Sequence, residues 1–396
     1  VRELWDSLKN SRSGIRRIET IDVEHVPIKI GGEVRDFDPT QYIEHKEARR
    51  MGRAAHFAVA AATMAVEDAG LTREQLEAEG ERTGVVIGTT LGGHEMAEQS
   101  TYKYKTSGFR RPNPLGLINS LPNMPSHYVS KLFQALGPLY TPSSACASGT
   151  QSIGEAADLI RNGRADLLIA GGVESVLQDY ALAGFEAMDA LAKGHEDEPE
   201  RASKPFDLNR SGFVFAEGCG VMIVESLAHA LKRGARIYAE VLGHGVSSDA
   251  YHVAALDPEG RGAARSMRWA LEDAHVNPED IGYINAHGSS TPANDSMETL
   301  AIKKVFGEQA YNIPVSSSKS MLGHALAASG ALEIVACVMT LVDQVIHPTI
   351  NYETPDPECD LDYVPNTARD AKGLKYILSN SFGLGGQNAS IVLGKI

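Results

Sequence analysis

The chain has 396 residues, 43% hydrophobic and 22% charged, with 51 acidic against 37 basic side chains and a formal net charge of −14. That is enough apolar material for a large core, and enough length for two domains or one duplicated domain. The acidic balance argues against general nucleic-acid binding, and no run of eighteen apolar residues suggests a membrane span.

The first ten residues, VRELWDSLKN, begin without methionine and read as an amphipathic helix, so the sequence predicts polypeptide upstream of Val1. Helical patterns then run over residues 54–69, 147–162, 261–274, 296–306 and 325–342. Apolar, β-branched runs that predict buried strands fall at 83–90, 166–174, 218–226, 236–249, 281–288, 313–318, 376–383 and 388–396. Strands alternating with helices imply an α/β fold with mixed or parallel sheets. Two charged, proline-containing segments, 193–212 and 347–366, are predicted to be surface loops. No short repeat is visible, but each half carries strands, then a reactive-looking residue where a strand gives way to a helix, then more strands.

Four cysteines, Cys146, Cys219, Cys337 and Cys359, lack CxxC or CxxH spacing. No metal site or disulfide framework is therefore expected, and a reducing cytoplasm suits them. Cys146 stands apart, in PSSACASGTQSIGEAADLI, just ahead of a helical pattern. At a helix N-terminus the unpaired amides and the dipole favour thiolate, which predicts an appreciable thiolate fraction near neutral pH. The plain alternative is a small buried cysteine filling a core gap. Gly149 is expected to permit close backbone packing. Two later stretches bear on the choice. NAHGSSTPANDSMETL puts His287 at a strand end, and SSSKSMLGHALAASGALE puts Lys319 and His324 at a second strand-to-helix junction. A lone histidine so placed is usually structural; two of them with a helix-capping cysteine suit nucleophilic acyl chemistry.

These stretches, with RSGFVFAEGCG at 210–220 and SNSFGLGGQNAS at 379–390, resemble the β-ketoacyl-acyl carrier protein synthases of the Cys-His-His class along the whole chain. The resemblance implies a thiolase-like duplicated fold in five layers, αβαβα, each half holding a five-stranded mixed sheet. The halves, 1–233 with the cysteine and 234–396 with both histidines, would meet near 231–235. The family's opening strand and its glycine-rich turn are not found here, which places them upstream in this reading.

The implied reaction is a decarboxylative Claisen condensation between an acyl group on Cys146 and malonyl-acyl carrier protein, in fatty-acid elongation. The resemblance makes His287, His324 and Lys319 catalytic. The backbone amides of Cys146 and Leu384 would form one oxyanion hole, the two imidazoles would serve the enolate, and Phe382 and Leu384 would stand at the gate. Lys319 would help keep His324 neutral by like-charge repulsion, with Glu333 as its partner. Ser289 and Thr291 match the hydroxyls that bind pantetheine, although helix capping explains them equally. Threonine is usual where Ser289 stands, phenylalanine where Leu384 stands, and threonine or histidine where Gln387 stands; altered acyl-chain specificity is the expectation. No separate cofactor is implied, since the substrates ride on the phosphopantetheine of acyl carrier protein.

Lys46, Arg49, Arg50, Arg110 and Arg111 fall where the family has its basic carrier-protein patch, although charge runs are commonly solvated faces; Asp189 replaces a usual arginine there. A homodimer is implied, with 105–140 reaching the neighbour's acyl pocket, or a heterodimer with a related subunit. Rival readings are a ketosynthase of a type II polyketide or specialised lipid pathway and, against the intact cysteine and histidines, a non-catalytic chain-length-factor-type partner. Thiolases use a second cysteine near the end, and starter enzymes of the synthase III type carry an asparagine for the second histidine; neither pattern is present.

Overall fold

The computed structural model describes residues 1–110 and 112–396, and places two mixed sheets on either side of a central pair of helices. Helix α1 (Arg2–Lys9) is the amphipathic opening segment, burying Trp5 and Leu8. Helix α2 (Arg53–Asp68) follows, then strand β1 (Thr83–Gly88), α3 (His94–Thr106), α4 (Met124–Phe133), β2 (Leu139–Tyr140), α5 (Ser148–Arg161), β3 (Leu167–Glu174), α6 (Asp179–Glu186) and β4 (Gly218–Glu225). The second set is β5 (Glu240–Ser248), α7 (Arg261–Ala274), β6 (Ile281–Asn285), α8 (Pro292–Phe306), β7 (Val315–Ser316), α9 (Ala327–Asp343), β8 (Tyr376–Gly383) and β9 (Gln387–Gly394).

The first sheet runs β2-β1-β3-β4 and the second β7-β6-β8-β9-β5. In each, one inner strand lies parallel to two neighbours: β1 to β2 and β3, and β6 to β7 and β8. The next pair is antiparallel, β3 with β4 and β8 with β9. The sheets thus repeat one order, except that nothing among the described residues pairs with β4 as β5 pairs with β9. The second sheet has the expected five strands; the first has four.

Helices α5 and α9 pack on each other and contact both sheets, while α2 and α4 cover the outer face of the first sheet and α7, with α8 sharing its core, that of the second. This is the layering αβαβα, and it explains why the central strands read as continuous apolar runs: both faces are covered. Glycine makes the central layer thin. A Cβ at Gly149 would sit 2.5 Å from the Ala327 carbonyl oxygen, so α5 and α9 approach there only without a side chain.

Two expectations change. Segments 193–212 and 347–366 are irregular but not merely surface: Phe206, Asp207, Arg210, His347, Thr349, Cys359 and Tyr363 are all buried. Their polar groups are satisfied inside, as Asp207 accepts from the amides of Glu353 and Thr354 and the buried Arg210 guanidinium donates to Asp356 at 2.5 Å. Composition suggested solvation because these charges find partners only in the tertiary structure.

Candidate active site

Cys146 lies in a single 3-10 turn, Ala145–Ala147, that runs directly into α5. The turn is held by Ser148, whose hydroxyl accepts from the Ser144 amide at 2.9 Å and donates to the Ala145 carbonyl at 2.7 Å. Ala145 has φ +50°, an unfavourable region for a residue with a Cβ, costing on the order of 1–2 kcal/mol. That bend aims the thiol out of the helix start toward the second half of the chain. The backbone amides of Leu384 and Cys146 face the sulfur.

The helix-start position is as predicted, but its expected consequence is not. Cys146 is 4% exposed. Burial pushes the thiol up to about 11, and the nearby Lys319 ammonium and the Leu384 amide only partly offset it. Desolvation of the charged form outweighs the dipole, so the resting sulfur is a thiol at neutral pH.

His287 follows the end of β6. Its own amide and that of Gly288 both donate to the carboxylate of Glu298 on α8, at 2.8 and 2.7 Å. Burial lifts that carboxyl to about 7 against these hydrogen bonds. Lys319 Nζ donates to the His287 carbonyl at 2.6 Å, lies 3.4 Å from its Nδ1 and pairs with Glu333. An ammonium has only donors, so Nδ1 is the acceptor and the ring proton sits on Nε2. Burial, then the Lys319 charge, then His324 hold His287 well below the usual histidine range, as a neutral ring.

His324 enters through Gly323, at φ +76°, after the short helix Lys319–Leu322. Its amide donates to the Val214 carbonyl at 2.7 Å and its carbonyl accepts from Ala216 at 3.0 Å, locking it to the 213–217 segment. Its Nε2 lies 3.1 Å from Cys146 Sγ, and its Nδ1 2.9 Å from the Ser329 hydroxyl. The Phe213 ring stands edge-on to it at 5.1 Å. Burial and then Lys319 keep His324 neutral as well. The expected like-charge effect of Lys319 on His324 is therefore present but second to burial, and the contact of Lys319 is with His287.

Cys146, His287 and His324 thus converge: one ligand atom from each lies within 4.8 Å of the others, and the two imidazoles cross at 80° with centroids 5.2 Å apart. Phe382 is buried beside His287 at 5.9 Å, while Leu384 is half-buried in the glycine loop beyond β8. Ser289 and Thr291 sit next to the cluster with their hydroxyls 3.0 Å apart, and Thr291 also caps α8 by accepting from the Asn294 amide. Lys46, Arg49, Arg50 and Arg110 are exposed and not in the pocket; Arg111 lies outside the described residues. Asp189 is exposed and paired with Lys193 at 2.8 Å. Sequence reasoning passed over Glu298, Ser329 and Phe213. Glu298 was findable in principle, since the amides at the end of β6 need an acceptor and α8 returns beside them.

Two family models match: "Beta-ketoacyl synthase, N-terminal domain" over residues 1–230 and "Beta-ketoacyl synthase, C-terminal domain" over residues 238–353. The chain belongs to the beta-ketoacyl synthase family. Among relatives, 3-oxoacyl-acyl-carrier-protein synthase 2 of Synechocystis is 45% identical, the match covering 100% of this chain and 94% of that protein. The synthase 2 of Coxiella burnetii is 44% identical over 100% and 95%. Among solved structures, the ishigamide ketosynthase/chain length factor superposes with TM-score 0.91 at 38% identity, over 100% of this chain and 95% of that one. A type II polyketide acyl-carrier protein in complex with its ketosynthase gives 0.90 at 37%, with the same coverage. The duplicated, five-layered architecture is thus that of the beta-ketoacyl synthases.

Proposed function

We propose that this beta-ketoacyl synthase elongates acyl chains on acyl carrier protein, with Cys146 as acyl acceptor and His287 and His324 as the enolate's hydrogen-bond donors. The observation that carries this reading is the 3.1 Å approach of His324 Nε2 to Cys146 Sγ beside a second neutral imidazole.

In the first half-reaction the Cys146 sulfur attacks the incoming thioester carbonyl. A new C–S bond forms, the bond to phosphopantetheine breaks, and the thiol proton ends on the departing pantetheine sulfur. The tetrahedral oxygen faces the amides of Cys146 and Leu384. Malonyl-acyl carrier protein then enters, with Ser289 and Thr291 offering hydroxyls to its pantetheine arm. Its terminal C–C bond breaks, carbon dioxide leaves with no electrons from that bond, and the pair becomes an enolate. Neutral imidazoles with a proton on Nε2 stabilise that oxygen without quenching the carbanion. The carbanion attacks the acyl-Cys146 carbonyl, and the intermediate collapses, breaking the C–S bond, to a 3-oxoacyl chain two carbons longer and the Cys146 thiolate, which takes a proton from water to restore the thiol. Lys319 and Glu333 touch neither substrate in this course; they fix the His287 ring. Phosphopantetheine is here part of the substrates, and the proposal needs no other cofactor.

The two halves divide at 233/234 in this reading, each sheet lying on one side of it. We place the enzyme in the cytoplasm, as four free cysteines suit a reducing compartment; no helix among the described residues is long and apolar enough to cross a membrane. The assembly is a homodimer that uses the open edge strand β2, where Leu139 and Tyr140 are exposed, together with the exposed apolar side chains Tyr102, Phe109, Leu117 and Leu136. Lys46, Arg49, Arg50 and Arg110 would steer the acidic carrier protein.

The polyketide reading, with a related subunit replacing the second copy, draws on Leu384 at the gate and on similarity to a ketosynthase/chain length factor and to a type II polyketide ketosynthase. The test is product analysis after mixing the enzyme with acyl- and malonyl-carrier proteins of fatty-acid type. A 3-oxoacyl product two carbons longer, absent with Cys146→Ala, is expected; turnover only with a second, related subunit present would favour the alternative.

A further inference from the structure

His324 poses a choice that its contact with Cys146 does not settle. With the proton on Nε2 it donates to whatever oxygen occupies the pocket. With the proton on Nδ1 it turns a bare lone pair toward the sulfur and acts as a base. The other side of the ring decides, and there the only hydrogen-bonding neighbour among the described residues is Ser329.

Ser329 lies in the first turn of α9 and is 4% exposed. Its oxygen accepts from the Ala325 amide at 2.9 Å, a donor whose direction is fixed by the backbone. A hydroxyl has one proton and two lone pairs. With one lone pair occupied, the proton must go somewhere, and the acceptor within reach is His324 Nδ1 at 2.9 Å. The opposite tautomer would send Nδ1–H to the second lone pair and strand the buried hydroxyl proton without a partner. The chain between the two residues is bent to make this contact: Leu326 has φ +41°, a strained turn that folds α9 back over the imidazole. We propose that Ser329 is the positioning residue that fixes His324 in its Nε2–H form, making it an oxyanion donor rather than a base. His287 reaches the same state through the Lys319 ammonium, so the two donors of one pocket are set by two different devices.

The inference rests on the reading of His324 as an enolate donor, and the experiment separates the two. Nitrogen NMR of ¹⁵N-histidine-labelled enzyme, with the His324 signal assigned by its loss in His324→Gln, reports the tautomer directly. Wild type is expected to show a protonated Nε2 and a bare Nδ1. Ser329→Ala should populate the other form and slow malonyl decarboxylation by about 10- to 100-fold, the range for outer partners that orient histidine ligands. Its loading of Cys146 should change little, and Ser329→Thr, which keeps the hydroxyl, should recover most of the loss. A wild-type His324 protonated on Nδ1 overturns the proposal, even if Ser329→Ala fails to fold. So does a folded Ser329→Ala with unchanged tautomer and rate. Normal decarboxylation in His324→Ala, which leaves no donor at this position, would instead sink the enolate reading and leave the tautomer assignment standing.

Discussion

Burial pushes the Cys146 thiol up to about 11, so in the proposed reaction its reactivity comes from where it points more than from its resting charge. Because the pKa is raised, the thiolate gains population as pH rises. Alkylation of Cys146 in the free enzyme should therefore accelerate about tenfold per pH unit from 7 to 9; a plateau below pH 8 would contradict the burial argument. At this scale the sequence was informative about identity and weak about state. Cys146, His287, Lys319 and His324 could be picked out by their places at strand-to-helix junctions. Whether the thiol is ionised depends on desolvation, which is a property of everything packed around it. Glu298 lies within the quoted stretch 285–300 but was not singled out there, and its role surfaced only when the amides of His287 and Gly288 were seen to need an acceptor.

Elements carry these residues to one place. Helix α5 brings the cysteine, the end of β6 brings His287, and the turn before α9 brings His324, so the contact between α5 and α9 sets the geometry of the pocket. Adding a methyl group at the tightest point, with Gly149→Ala, should destabilise the protein by about 1–3 kcal/mol through overpacking. A melting temperature equal to wild type would refute that constraint. The loop beyond β8 is different, being half-buried at Leu384 and rich in glycine. If Leu384 gates the acyl chain, Leu384→Phe should shift the chain-length profile of the products with little change in stability; an unchanged profile would dissociate this residue from specificity. Long elements with clear periodicity, such as α7 and β3, were legible to within a residue or two. Helices α3, α4 and the short α6 were not anticipated. The first has no buried residue to give it an apolar stripe, and the second opens on proline-flanked, mixed residues.

The whole molecule combines a negative net charge with exposed basic side chains at Lys46, Arg49 and Arg50 and with several exposed apolar ones. In the proposed reading these serve partners, and each group predicts a separable defect. Arg49→Glu/Arg50→Glu should slow acyl transfer from carrier protein while sparing reaction with small thioesters, because steering acts on association; equal losses in both assays would remove the docking role. Leu117→Asp/Leu139→Asp should convert a dimer into a monomer by sedimentation, and an unchanged mass would move the interface elsewhere. The duplicated layout was partly legible as a faint two-part symmetry, whereas the difference of one strand between the sheets depends on pairing that no local pattern encodes. In the proposed reaction one pocket divides its labour, sulfur for acyl transfer and imidazoles for the enolate. An intact-mass time course of wild type, His287→Ala and His324→Ala with acyl- and malonyl-carrier proteins tests it directly. The expected result is acyl-Cys146 in all three, with elongated product formed by wild type and slowed about 100- to 1,000-fold in either variant; elongation at the wild-type rate in either histidine variant, or loading at a residue other than Cys146, would contradict it.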